Sequence, residues 1–218
     1  MSDLRAFVGQ DSLAAYPEGN FYPIKASKRG DLIMIDWYKQ MAMEGRIFQV
    51  RAGTITTPLV GDVAVTDTAA EMAVDATTTA VVAIPVYLNV GIRLGTGTLH
   101  EYAVKSVAAT PTAVGSTGFT PLNLLLGGGS ATVVARVAAA GGVTVAAEAA
   151  TTTRRHWAFS NPVAVGAGNT LTTLEWAPRT PPIIAGIGSA YVQIAATTTG
   201  PSYYASLDFI ELATASVS

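Results

Sequence analysis

The stretch YVQIAATTTGPSYYASLDFIEL, residues 191–212, decides the fold class. It consists of a β-rich run, a Thr-Thr-Thr-Gly-Pro-Ser turn and a longer β-rich run. In the second run Tyr203, Ala205, Leu207 and Phe209 alternate onto one face, while Tyr204, Ser206, Asp208 and Ile210 alternate onto the other. The first set is more apolar, so we expect it to face a core. An exposed edge invites aggregation, so we expect this strand to pair on both sides.

Similar short runs, cut by Gly and Pro, fill the chain from residue 46 onward. About ten strands of this kind predict a β-sandwich or barrel. The most extensive runs are at 79–94, where Pro85 predicts an edge position or a bulge, and at 99–107. Shorter runs lie at 46–51, 54–57, 63–66, 72–74, 132–138, 143–149, 156–159, 171–176 and 183–187.

The helix prediction is confined to residues 31–44. Asp31 is placed as an N-cap and Gly45 as the glycine that follows the last turn, and Ile33, Trp37 and Met41 are spaced four apart. A strand over residues 32–37 is the competing interpretation.

Residues 1–30 have no regular period, but they carry four aromatic residues and the basic cluster Lys25, Lys28 and Arg29. They predict an arm laid over its own domain or over a neighbour, and a frayed terminus is the alternative. We therefore divide the chain into an arm and helix, 1–45, and a single-domain sandwich, 46–218.

The composition favours a structural role. Charged residues make up 13% of the 218 residues and hydrophobic residues 50%, with a mean hydropathy of +0.38. So little charge suggests that much of the surface is buried in an assembly, although an alanine-rich core also raises the apolar share. The net charge of −2 shows no overall electrostatic footprint for nucleic acid, so we expect such contact to be weak or indirect. The sequence shows no transmembrane helix and begins without signal-peptide features.

The residues that could do chemistry are few and scattered. The chain has no cysteine and two histidines, His100 and His156. His100 and Glu101 are neighbours in a strand and point to opposite faces, while the charges of Arg154 and Arg155 oppose the use of His156 as a base. No nucleophile motif or phosphate-binding loop is present. We predict that the protein is not an enzyme and has no catalytic residue, cofactor or metal site.

One cluster of residues is a candidate for binding a partner: Arg154, Arg155 and Trp157. Two guanidinium groups beside an aromatic ring can hold a phosphate or stack on a base. They are equally suited to a contact with an acidic patch on another subunit, which is the interpretation we prefer.

An arm, eight to ten short strands and a long strand near the end of the chain resemble the jelly-roll coat proteins of icosahedral viruses. The resemblance is architectural, covers about residues 46–212 and carries over no site residue. It implies two facing antiparallel sheets, an arm that ties neighbours together, and no catalytic centre.

The sequence hypothesis is therefore a viral capsid protein, specifically of a bacteriophage, that assembles with copies of itself into a virion shell in the host cytoplasm. Other virion proteins are further expected partners. The alternatives are a surface or fibre β-sandwich subunit, such as an adhesin or appendage component, and a lectin-like binding module.

Overall fold

The computed structural model describes residues 37–66, 68–94, 99–109, 116–138, 143–162 and 173–216. This part of the chain is β-rich with one α-helix, α1 (Trp37–Met43), and a 3₁₀ turn at Thr214–Ser216. The strands are β1 (Ile47–Ala52), β2 (Leu59–Val60), β3 (Ala69–Ala70), β4 (Met72–Ala76), β5 (Val81–Leu94), β6 (Leu99–Val107), β7 (Ser116–Phe119), β8 (Leu122–Asn123), β9 (Val134–Ala138), β10 (Val143–Thr144), β11 (Thr153–Pro162), β12 (Thr173–Trp176), β13 (Ile184–Ala185), β14 (Gly188–Ala196) and β15 (Ser202–Ala213).

Two antiparallel sheets face each other. One has seven strands in the order β12-β5-β15-β1-β8, with β13 also paired to β5 and β2 to β15. The other has six strands in the order β11-β6-β14-β4-β9-β7. The inner faces of both sheets contribute to one hydrophobic core. The predicted all-β sandwich with one short helix is therefore confirmed.

Four antiparallel pairs nest within one another along the chain. The outermost is β1 with β15, followed by β4 with β14, β5 with β12 and, innermost, β6 with β11. The insertion between β6 and β11 supplies β7 to β10. Of these, β8 extends one sheet beyond β1, while β9 and β7 extend the other beyond β4.

Strand β15 occupies the position that its sequence predicts. It pairs with β1 on one side and β5 on the other. Tyr203, Ala205, Leu207 and Phe209 all point into the main core, as the alternation indicated. The Phe209 ring stacks on Phe48 with centroids 5.7 Å apart.

Helix α1 covers part of the outer face of the seven-stranded sheet. Met41 is fully buried there against Ile47, Ile84 and Ile210. Gly45 has φ 67°, the left-handed conformation expected of a glycine that ends a helix. Asp31, the proposed N-cap, and most of the competing strand 32–37 lie outside the described residues, as does the arm 1–30.

Several predicted strands are turns or are shorter than expected. Residues 54–57 form a turn because the Thr54 hydroxyl accepts a 2.9 Å bond from the Thr57 amide, which competes with sheet pairing. Residues 63–66 are also irregular, and of 143–149 only the first two residues pair.

Strand β5 pairs with β15 along one side, while on its other side β12 pairs with residues 88–91 and β13 with residues 82–83. Neither β12 nor β13 pairs with Pro85, as the edge interpretation expects. The alternative, a bulge, is confirmed, because Asp208 pairs with Tyr87 and Phe209 with Pro85, leaving Val86 as an extra residue.

Candidate subunit-contact surfaces

The three residues predicted to form a subunit contact all lie on β11, at the edge of the six-stranded sheet. Their register is broken by a bulge: Arg155 pairs with Lys105 and Trp157 with Val104, which leaves His156 as an extra residue. A bulge of this kind reverses the face to which the following side chains point. Arg155 and Trp157, two residues apart, therefore lie on opposite faces.

Arg155 belongs to an ion network on the outer face. Its Nη2 lies 2.9 Å from Glu148 Oε1, and the other carboxylate oxygen of Glu148 binds Lys105 Nζ. Lys105 is only 3% exposed, so Glu148 supplies the counter-charge that a buried ammonium needs. The hydrogen bond from Lys105, assisted by Arg155, lowers the pKa of Glu148. Arg154 is exposed and pairs with Ser106, so its side chain lies on the opposite face of β11 from Arg155.

Trp157 instead packs against the main core and stacks on Phe159 with centroids 6.4 Å apart. Beside it, His156 Nε2 lies 2.7 Å from Ser106 Oγ. Burial, together with the charge of Arg154, lowers the pKa of His156. The outer face of β11 thus presents Arg155, while the aromatic residues of β11 hold the strand to the sandwich. A contact between this edge and another subunit stays a prediction.

A second surface was missed by the sequence interpretation. Leu122, Leu124, Leu125 and Leu126 are all exposed, and Leu126 is 95% exposed. We call residues 122–126 the leucine turn. A run of apolar residues followed by three glycines could have indicated it, because such a run in a loop has no core to enter.

The side chain of Asn123 holds the leucine turn in place. Its Nδ2 donates to Gly45 O and to Gly129 O, both at 2.9 Å, and its Oδ1 accepts from the Leu125 amide at 2.9 Å. The Leu124 amide donates to Ile47 O at 2.9 Å. These bonds attach the turn to the end of α1 and the start of β1. The leucines are therefore displayed on an ordered support.

The remaining ionisable groups are dispersed. His100 is fully buried, with Nδ1 3.3 Å from the Tyr102 hydroxyl, and burial lowers its pKa. Glu71 is also buried, and it accepts a 3.0 Å bond from the Tyr203 hydroxyl. Within the described ranges no three His, Asp or Glu residues are grouped to hold a metal ion, and no helix is long and apolar enough to cross a membrane.

Comparison with known proteins adds no relative: no family model, curated protein or solved structure matches the chain.

Proposed function

We propose that the protein is a jelly-roll coat protein of an icosahedral virus, specifically a bacteriophage, and that it assembles with copies of itself into the shell. The observation that carries this proposal is the nested pairing of β1 with β15, β4 with β14, β5 with β12 and β6 with β11. A long antiparallel hairpin rolled into two four-stranded sheets pairs in this order, and coat proteins use that architecture.

Lectin domains and cupins also have jelly-roll folds. The fold therefore does not separate a coat protein from these classes, and the surface residues have to do so. The leucine turn favours self-association, because each exposed leucine that becomes buried gains about 25 cal/mol per Å² of apolar area. Four leucines in five residues are a costly surface for a permanently monomeric protein. The low charged fraction, 13%, agrees with a protein whose outer surface is largely buried in an assembly.

The charge distribution supports protein partners over a nucleic-acid partner. The net charge is −2, and the Arg155 guanidinium is already bonded to Glu148. We infer that contact with a genome is weak or indirect. Copies of this chain, together with other virion proteins, are the partners that the proposal requires.

Negative-stain electron microscopy of the purified full-length chain tests the proposal. Closed shells of uniform diameter are the expected result. Filaments would favour the surface or fibre subunit instead, and small monodisperse particles over the whole concentration range would contradict self-assembly.

A matched pair of variants tests the leucine turn. Leu126→Asp should abolish assembly while the melting temperature stays unchanged, because the side chain touches little of its own subunit. Val63→Asp is the control, since Val63 is also exposed, at 60%, but lies in the loop that follows β2. Equal loss of assembly in both variants would show that the leucine turn is not a specific contact.

A further inference from the structure

The outer face of the seven-stranded sheet is divided into two zones. The apolar zone, which includes Ile47, Ile84 and Ile210, is covered by α1. The other zone is polar and has no described segment over it. There Arg51, Ser206, Asn89 and Glu175 lie directly opposite one another across four strands.

A groove of about 470 Å³ runs along this polar zone, within the size range of small-ligand sites. Its floor and sides include Gln49, Arg51, Asn89, Tyr204 and Ser206, and the turn 53–56 forms one wall. The wall is braced, because Arg93 Nη1 donates to Ile55 O at 2.9 Å and to Thr56 O at 3.0 Å. The groove is therefore preformed.

The Tyr204 ring lies across Gly91 on the neighbouring strand. A Cβ at Gly91 would stand 2.2 Å from Tyr204 Cζ, so the ring occupies the space that any other residue would fill. The atoms closest to that position are Cζ, Cε2 and the hydroxyl oxygen, so the hydroxyl end of the ring lies over the backbone of β5. Tyr204 is partly exposed, and we call its ring the platform.

Planar and hydroxyl-bearing side chains surround this platform. Gln49 is fixed by the 2.9 Å bond from its Nε2 to Asp208 Oδ1, which leaves its carbonyl oxygen as an acceptor. Asn89 and Ser206 lie side by side, since they are paired across β5 and β15. An aromatic platform ringed by amides and hydroxyls matches a sugar ring, which has an apolar face and an edge of hydroxyl groups.

Arg51 supplies the charge. Among the described residues that line the groove it is the one charged side chain, and it is exposed. A guanidinium binds a carboxylate through two parallel hydrogen bonds. We propose that this groove binds an acidic saccharide, with Tyr204 stacked on a sugar ring, Gln49, Asn89 and Ser206 bonded to its hydroxyls, and Arg51 paired with its carboxylate. The proposal is independent of the assembly function.

Saturation-transfer NMR and calorimetry on the full-length protein test it, with sialyllactose, digalacturonate and lactose as probes. At least one acidic probe should bind at millimolar concentrations, and more tightly than neutral lactose. Arg51→Gln should lower that affinity about ten- to hundredfold and leave lactose binding unchanged. Arg179→Gln, which removes an exposed cation outside the groove, is the matched control and should bind as the wild type does.

Gly91→Ala tests the platform without removing a polar group. The added methyl must displace the Tyr204 ring, so affinity should fall about tenfold while the melting temperature shows that the fold persists. If neither acidic probe binds, or if Arg51→Gln and Arg179→Gln behave alike, the proposal is overturned. Equal competition by inorganic phosphate would also overturn it, because the groove would then be a general anion site.

Discussion

Phe209 and Asp208 are adjacent in β15 but meet different surroundings. Phe209 is fully buried in the main core and stacks on Phe48. Asp208 points to the outer face, where it accepts hydrogen bonds from Gln49 at 2.9 Å and from Tyr38 at 3.4 Å. Burial raises the pKa of Asp208 despite these bonds.

The first prediction compares alanine variants at these two positions. Phe209→Ala should lower the free energy of unfolding by about 3–5 kcal/mol, because it leaves a cavity between the sheets. Asp208→Ala should lower it by about 1 kcal/mol, because hydrogen bonds are lost but a desolvated carboxyl is also removed. Urea unfolding measures both. Equal midpoints would contradict the register described for β15.

Glu71 is the residue whose titration should affect stability most clearly. It is 2% exposed and bonded to Tyr203, and its burial, assisted by the negative charge of Asp62, raises its pKa to about 8. In the unfolded chain the group titrates near its ordinary value. Between these two values the folded state binds the proton and the unfolded state does not.

The second prediction follows from this difference. The contribution of Glu71 to stability is full below its ordinary pKa of about 4.5, falls as the pH rises, and is lost at about pH 8. Glu71→Gln cannot ionise, so its unfolding free energy should depend less on pH. Denaturant unfolding from about pH 5 to about pH 9 measures the slope. Asp75, whose pKa burial raises to about 7, is present in both proteins and cancels in the comparison. Parallel curves for wild type and variant would contradict the prediction.

At the scale of elements, β11 combines two roles. Its inner face packs Trp157 and Phe159 against the core, and its outer face carries the network of Arg155, Glu148 and Lys105. The bulge at His156 makes this division possible, since it turns Trp157 inward after Arg155 has pointed outward. Core packing and surface charge are therefore carried by different side chains of one strand.

The third prediction separates the two arginines. Arg154→Glu should weaken assembly and leave the melting temperature unchanged, because Arg154 is exposed. Arg155→Glu should weaken assembly and also lower stability by up to about 1 kcal/mol, because it places a second carboxylate beside Glu148. Particle yield by sedimentation and thermal unfolding are the two measurements. Unchanged particle yield in both variants would refute a subunit contact at this edge.

The insertion between β6 and β11 shows how one connection can serve both sheets. Its strands β8 and β9 continue the two sheets past β1 and β4, and its leucine turn projects beside the end of α1. A third part, Val143 and Val145, covers Tyr191 and Ala73 on the outer face of the six-stranded sheet. The insertion thus completes the sandwich and also supplies the surface proposed for assembly.

At the scale of the whole molecule, the outer faces determine what the sandwich can contact. One sheet is covered by α1 and bears the polar groove, while the other is covered by part of the insertion. Among the exposed apolar side chains, those of the leucine turn and of Ile183 and Ile187 lie near the start of β1 and the start of β5. Contacts between copies are expected to use this end of the sandwich.

The fourth prediction concerns the arm. Removing residues 1–30 should leave a folded protein, because the described sandwich with α1 begins at Trp37 and its core draws on residues from 41 onward. Assembly should be impaired, since an aromatic-bearing segment without a regular period predicts a connector between subunits. Circular dichroism and electron microscopy of the truncated chain measure the two properties. Shells like those of the full chain would show that the arm is not a connector.

The sequence by itself determined which side chains share a face of a strand and where the helix ends, because both depend on the spacing of residues along the chain. Alternation in β15 correctly assigned Tyr203, Ala205, Leu207 and Phe209 to the core face, and Gly45 correctly ended α1, because backbone geometry converts residue spacing directly into side-chain direction. Charge and composition indicated a structural, non-catalytic protein whose surface is largely buried in an assembly. That interpretation stays a prediction.

Only the tertiary structure decided which residues of different strands lie side by side and which outer-face side chains are covered by another segment. The bulge at His156 arises from the register of β11 against β6, so no local pattern separates Arg155 from Trp157. Asp208 lies on the face predicted to be outer, yet it is buried because Tyr38, 170 residues away in sequence, lies over it. The groove likewise needs Arg51, Asn89 and Tyr204 from three strands. Such arrangements depend on contacts between distant parts of the chain, and these form only when the two sheets are complete.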